Sequence, residues 1–188
     1  MSSLASLVLV AITFLPVPSS AISAGPFRGF KTQLYEGGIR CSLVAWGPGL
    51  LEKNNHVDRQ SVFLAIDLVP TLLNLTNSPG PDGVDFDGES LPGTLLGKGG
   101  SRQSPIFFRR PPDRDPFYGV KDLPDLAMRD GEWKFLCEYD GSEPQLYDMY
   151  ADRGETKNLA DQNAALVGKL SKAFIAEHQS MPSDKGAN

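Results

Sequence analysis

Between two Asp-Gly dipeptides, Asp130-Gly131 and Asp140-Gly141, runs the segment WKFLCEY, in which Trp133, Phe135, Cys137 and Tyr139 occupy every second position. A period of two places those four side chains on one face of a strand, with Lys134 and Glu138 opposite. Asp-Gly supplies the positive φ of a tight hairpin, so the strand should be bracketed by turns. QLYDMY continues the pattern, and an antiparallel meander is the expected result. Past ADRGETKNLAD, the residues Leu166, Val167, Leu170, Ala173 and Phe174 recur at helical spacing. A closing amphipathic helix should lay that stripe on the sheet.

Upstream, the texture is that of an α/β layer. IRCSLVAW, residues 39–46, is rich in β-formers and stops at Gly-Pro-Gly, which suggests a buried strand with Cys41 as a small apolar core residue. DLVPTLLNL, residues 67–75, reads as a helix: Asp67 can cap it, Pro70 falls in its first turn, and Leu68, Leu72 and Leu75 share a face. FFRRPPDRDPFYG reads as a connection between this layer and the tail.

Composition narrows the function classes. With 188 residues and 40% hydrophobic content the chain can bury one sizeable core. A net charge of -5 without a basic stripe argues against nucleic acid as a partner. Two cysteines, Cys41 and Cys137, and two histidines, His56 and His178, all far apart, exclude a disulfide-dense scaffold and a histidine-rich metal site. Residues 4–17 are apolar and uncharged, followed by small residues at Ser19 and Ala21. The run reads as a secretory leader, which would make the protein secreted or periplasmic, or alternatively as a buried strand or a wrong-start extension. It is too short, and too interrupted by Pro16 and Pro18, for a stable membrane span.

The segment GPFRGFKTQLYEGGIR, Gly25 to Arg40, resembles the sulfatase stretch in which a lysine between glycines precedes an aromatic-Glu-Gly-Gly-x-Arg sequence. VDRQSVFLAIDLVPTLLNL is similar to the helix of that family carrying Asp-x-x-Pro-Thr-Leu-Leu. AMRDGEWKFL, QLYDMYADRGETKNLAD and the last helix resemble its C-terminal small domain. The likeness runs from about residue 23 to residue 181 and implies the C-terminal part of an alkaline-phosphatase-like sulfatase fold. On that basis the chain divides into a leader (1–22), the C-terminal part of the α/β domain (23–120), a small antiparallel sheet with its helix (121–181) and a disordered tail (182–188).

The resemblance also implies a chemistry. Sulfatases hydrolyse sulfate esters of aryl compounds or carbohydrates with a formylglycine made from the Cys or Ser of a C/S-x-P/A-x-R motif. A calcium ion held by Asp and Asn polarises the sulfate, and cationic side chains neutralise its oxygens. Lys31 matches the sulfate-contacting lysine, a compact charge suited to an oxyanion. Gly37 and Gly38 are expected in a turn of positive φ, and Glu36 with Arg40 as an ion pair behind the pocket.

The remaining parts of that chemistry are not found here. No Cys or Ser in the 188 residues is followed by Pro or Ala two later and Arg four later. No cofactor is expected, and the chain is expected to be an inactive fragment whose parent hydrolyses sulfate esters, or alternatively a non-catalytic module binding carbohydrate or a partner. DGVDFDGES, with Asp82, Asp85, Asp87 and Glu89, departs from the EF-hand spacing and reads as a surface loop. Arg109, Arg110 and Arg114 could contact an anionic saccharide, or pair with Asp113 and Asp115 as a linker. His56 lies in a polar loop and reads as solvated.

Overall fold

A computed structural model describes residues 9–11, 24–47, 51, 57–110 and 122–182. In chain order the elements are β1 (Leu9–Ala11), α1 (Glu36–Ile39), β2 (Val44–Trp46), α2 (Leu68–Leu75), α3 (Pro92–Leu95), β3 (Ile106–Arg109), β4 (Leu126–Asp130), β5 (Trp133–Cys137), β6 (Gln145–Asp148) and α4 (Ala164–Ser180). Single 3₁₀ turns over Ala65–Asp67 and Ala160–Asn163 lead into α2 and α4. The chain forms two compact units, residues 1–15 with 42–103, and residues 16–41 with 104–188.

In the first unit β1 pairs antiparallel with β2, with Leu9 opposite Trp46 and Ala11 opposite Val44. Of the apolar leader, only this strand lies within the described residues. The helix expected at 67–75 is α2, with Pro70 in its first turn where the missing N–H costs nothing. Asp67 holds the cap position without bonding into the helix. Its buried carboxylate instead accepts from the Leu64 N–H (2.9 Å) and the Glu89 N–H (2.8 Å), and pairs with the Arg102 guanidinium. Thr71 extends the tie, its Oγ1 accepting from the Leu91 N–H at 2.9 Å. Burying a charge demands such complete pairing, so this side of α2 is fixed to residues 89–102. Ile66 and Val69, by contrast, are about half exposed.

The second unit is built on a four-stranded antiparallel sheet in the order β3-β4-β5-β6. Phe135 on β5 stands opposite Met128 on β4 and Leu146 on β6. The meander turns as expected: Gly131 and Gly141 adopt φ of 56° and 85°. Phe107 to Arg109, which read as part of a connection, form the edge strand β3 instead. The reason is alternation: Phe107 packs on one face of the sheet and Phe108 on the other.

Both faces of that sheet are covered. Under α4, Leu126, Met128, Phe135, Cys137 and Leu146 meet Leu170 and Phe174, with Leu166 and Val167 at the edge. Each such side chain contributes about 1.5–3 kcal/mol when fully buried. Ala173 points outward, so the stripe is narrower than the sequence suggests. On the opposite face Ala127, Leu136 and Tyr147 pack against Leu34 and Tyr35, with Ile39 beside them. Lys134 projects into this second layer and is only 1% exposed. The alternation had assigned it to a polar face, and the cover provided by residues 34–39 is what reverses that expectation.

Residues 39–46 also depart from the expected buried strand. The chain turns helical at Glu36–Ile39, closed by Gly38 N–H to Tyr35 O (2.8 Å) and Arg40 N–H to Glu36 O (2.9 Å). Only Val44–Trp46 is extended in a ladder, and Cys41 is exposed rather than in a core.

Candidate functional site

Lys31 stands at the exposed outer end of the loop from Arg28 to Gly37. Its ammonium has no hydrogen-bond or ion-pair partner among the described residues. The loop is closed at its neck by the Gly37 N–H donating to Arg28 O at 2.7 Å, and the Gln33 N–H donates to Phe30 O at 3.0 Å within it. Thr32, next to the lysine, has φ of 83°, a region that a β-branched residue enters only when its surroundings force it.

The glycines make this tight path possible, though not in the way expected for all of them. Gly29 takes φ of 78°. Gly37 and Gly38 are helical, with no positive φ, and are required by close backbone approach. A Cβ on Gly37 would lie 2.3 Å from Gly29 O, and one on Gly38 would lie 2.1 Å from Gln33 O. No side chain fits at either position.

Both ends of the loop are held on the sheet. At the first end, Arg28 Nη1 donates to Tyr147 Oη at 2.7 Å and to Glu155 O at 3.3 Å, and its guanidinium lies 3.9 Å over the Tyr35 ring. Tyr35 and Tyr147 hydroxyls both donate to Gln145 Oε1, at 3.0 and 2.9 Å. At the second end, Glu155 Oε2 accepts the Glu36 N–H at 2.7 Å.

Beneath this end lies a buried cluster of charges. Lys134 Nζ is 3.1 Å from Glu36 Oε1 and 2.8 Å from Glu155 Oε1. The second contact is an ion pair rather than a directed hydrogen bond. Arg40 Nη1 reaches Glu36 Oε2 at 3.2 Å, which is the ion pair the sequence suggested. All four carboxylate oxygens thus have a cation or an N–H. Burial pushes the Glu155 carboxyl above the usual carboxylate range, against the attraction of Lys134. One ammonium shared by two carboxylates cannot offset that desolvation fully.

The other candidates are engaged elsewhere. Arg109 donates through both terminal nitrogens to Pro182 O at 3.2 Å. Arg110 pairs with Asp125 at 2.8 Å and donates to Leu123 O. Neither shares a contact with Lys31 among the described residues. Arg114, Asp113, Asp115 and His56 lie outside the described residues. Lys134, Glu155 and Arg28 support the loop and were not singled out from sequence. Lys134 to Glu36 spans 98 positions, and no local pattern marks such a pair.

The described residues do not fit a calcium site. No group of three or more His, Cys, Asp or Glu converges among them. Asp82, Asp85 and Asp87 are exposed, while Glu89 accepts the Gln103 N–H and Asp67 is taken by Arg102. Cys137 is no nucleophile either: burial pushes its thiol up to about 12.

No family model matches the chain. It is similar to human arylsulfatase A, 32% identical over 172 residues, covering 80% of this chain and 32% of that protein. An N-acetylgalactosamine-6-O-sulfatase of Bacteroides thetaiotaomicron is 28% identical over 162 residues, covering 79% and 29%. Mouse arylsulfatase K is 29% identical over 137 residues, covering 71% and 24%. The chain therefore spans about a quarter to a third of the length of these curated relatives. Among solved structures, one described for metabolism of multiple glycosaminoglycans by Bacteroides thetaiotaomicron has a TM-score of 0.61 at 26% identity, covering 82% of this chain and 32% of that one. Ps i-CgsB in complex with k-i-k-neocarrahexaose has a TM-score of 0.60 at 22% identity, covering 82% and 31%. The fold is that of the alkaline-phosphatase-like sulfatases.

Proposed function

We propose that this relative of the sulfatases presents Lys31 to the sulfate group of an aryl or carbohydrate sulfate ester, as the sulfate-side part of a sulfuric ester hydrolase. The observation that carries the reading is the exposed ammonium of Lys31, without a partner among the described residues, on a loop pinned at both ends. A fixed cation stabilises an oxyanion without reorganising when charge develops. Names of relatives that act on carbohydrate sulfate, such as the N-acetylgalactosamine-6-O-sulfatase, support that substrate class. Neither a formylglycine motif nor a calcium cluster is supplied by these residues, so binding rather than turnover is their contribution.

Two measurements test this. Titration with sodium sulfate against sodium chloride of equal ionic strength should shift the Lys31 side-chain NMR signal, and Lys31→Met should abolish the saturable response at neighbouring amides. An unchanged response in Lys31→Met removes the assignment. Incubation of the 188-residue chain with 4-nitrophenyl sulfate and calcium should give no hydrolysis, and measurable turnover would overturn the statement that the machinery is incomplete within it.

A second reading, a non-catalytic module that binds sulfated carbohydrate, is favoured by the lack of a C/S-x-P/A-x-R motif in this sequence. Hydrolysis after supplying a complementary sulfatase segment carrying that motif would decide for the first reading. Export belongs to the second reading, which a cleaved leader would favour. N-terminal sequencing of extracellular protein, with a start near Ile22 or Ala24, is its test. No described helix is long and apolar enough to cross a membrane.

A further inference from the structure

Glu155 touches both ends of the loop that carries Lys31. Its carbonyl oxygen accepts from Arg28 at 3.3 Å, and its carboxylate accepts the Glu36 N–H at 2.7 Å. The residue itself is 1% exposed and sits at φ of 52°, a conformation a glutamate holds only under constraint. Gly154, just before it, is close to the loop as well: a Cβ there would be 3.2 Å from Pro26 O. We infer that Glu155 and its buried counter-ion Lys134 are positioning residues, which gather the two ends of the Arg28–Gly37 loop on the sheet and so fix where Lys31 presents its charge. The inference rests on the reading of Lys31 as a sulfate contact and adds what makes that contact specific in place.

Stability alone does not explain the cluster. The layer around it is apolar, formed by Leu34, Tyr35, Ala127, Leu136, Tyr147 and Met149. Apolar side chains at 134 and 155 would fit that layer and avoid the desolvation of buried ions, a replacement that is often neutral or stabilising. What apolar contact lacks is direction: it tolerates sliding of the loop along the sheet by a residue. The charge-assisted bonds that Glu155 accepts from the Glu36 N–H and that Lys134 donates to Glu36 Oε1 define one register. Arg40 on Glu36 holds the second carboxylate in the orientation that reaches Lys134.

The test compares two variants of the full chain by hydrogen exchange and by sulfate titration, with Lys31→Met as control. In Glu155→Ala the amides of Gln33 and Gly37 should exchange about tenfold faster or more, the effect of losing one charge-assisted hydrogen bond, whereas Met128 and Phe135 in the sheet should follow only the fall in global stability. The double variant Lys134→Met/Glu155→Leu removes both members of the closed pair and leaves Glu36 its Arg40 partner, so it keeps the test decidable if the single variant does not fold. It should lose less resistance to urea than Glu155→Ala and still lose loop protection, together with the sulfate response at Lys31. Loop protection retained in the folded double variant overturns the positioning role. If Lys31→Met leaves sulfate binding intact, the functional reading fails, yet the exchange rates at Gln33 and Gly37 still decide whether Glu155 holds the loop.

Discussion

Lys134 Nζ lies 2.8 Å from Glu155 Oε1, with side-chain exposures of 1% and 0%, so the ion pair is closed off from water. Truncating one member leaves the other charged in a low-dielectric layer, and Lys134→Ala would strand Glu155 while leaving Glu36 only Arg40. The expected loss is about 3–5 kcal/mol, read as a fall in the urea midpoint. A loss below about 1 kcal/mol, the range of an exposed pair, would show that water reaches the cluster.

The sheet of the second unit was legible because its two signals are local. Trp133, Phe135 and Cys137 announce a strand at period two, and the Asp-Gly pairs announce its turns. What lies over the reverse face was not legible, since periodicity says that a face exists and not what covers it. Lys134 meets a cover made by residues far upstream, and its polar character pointed to solvent. Phe107 and Phe108 were hidden for another reason: a short edge strand running into Arg-Arg-Pro-Pro carries the composition of a linker. The lysine of the candidate site was found by resemblance, whereas the residues that hold its loop converge only in three dimensions.

Replacing Gly38 tests whether the loop needs bare backbone. An added Cβ would meet Gln33 O at 2.1 Å and Phe30 O at 2.6 Å, contacts that require the backbone to move. Since Gly38 is helical, alanine should otherwise favour the conformation by about 1 kcal/mol. Gly38→Ala is therefore expected to destabilise, with the Gln33 amide exchanging faster while α4 is unaffected. A stabilised variant would mean that the helical preference wins and the close approach is not required.

Cysteine reactivity should separate the two thiols. Cys41 is exposed, and Cys137 is buried under α4 with its thiol pushed up to about 12 by burial. With a disulfide-forming reagent at pH 8, one equivalent should react quickly at Cys41 and the second only as the protein unfolds. Rapid modification of Cys137 in the folded protein, located by peptide mass, would show that α4 opens on the timescale of the reagent.

The last prediction concerns pH. Burial raises the Glu138 carboxyl from 4.5 to about 7, aided by its hydrogen bond with Asp125 and the repulsion between the two carboxylates, and opposed by Arg110. The native state then holds a proton that the unfolded state releases at lower pH. Stability from this group is fully present below about pH 4.5 and is lost as pH rises through about 7. Glu138→Gln mimics the protonated form and still donates to Asp125. In urea unfolding, the variant should match the wild type near pH 4.5 and exceed it at pH 8, because only the wild type has then acquired two facing negative charges. A difference that is constant with pH, or one that favours the wild type at pH 8, would show that Arg110 compensates both carboxylates and that Glu138 is ionised throughout the range.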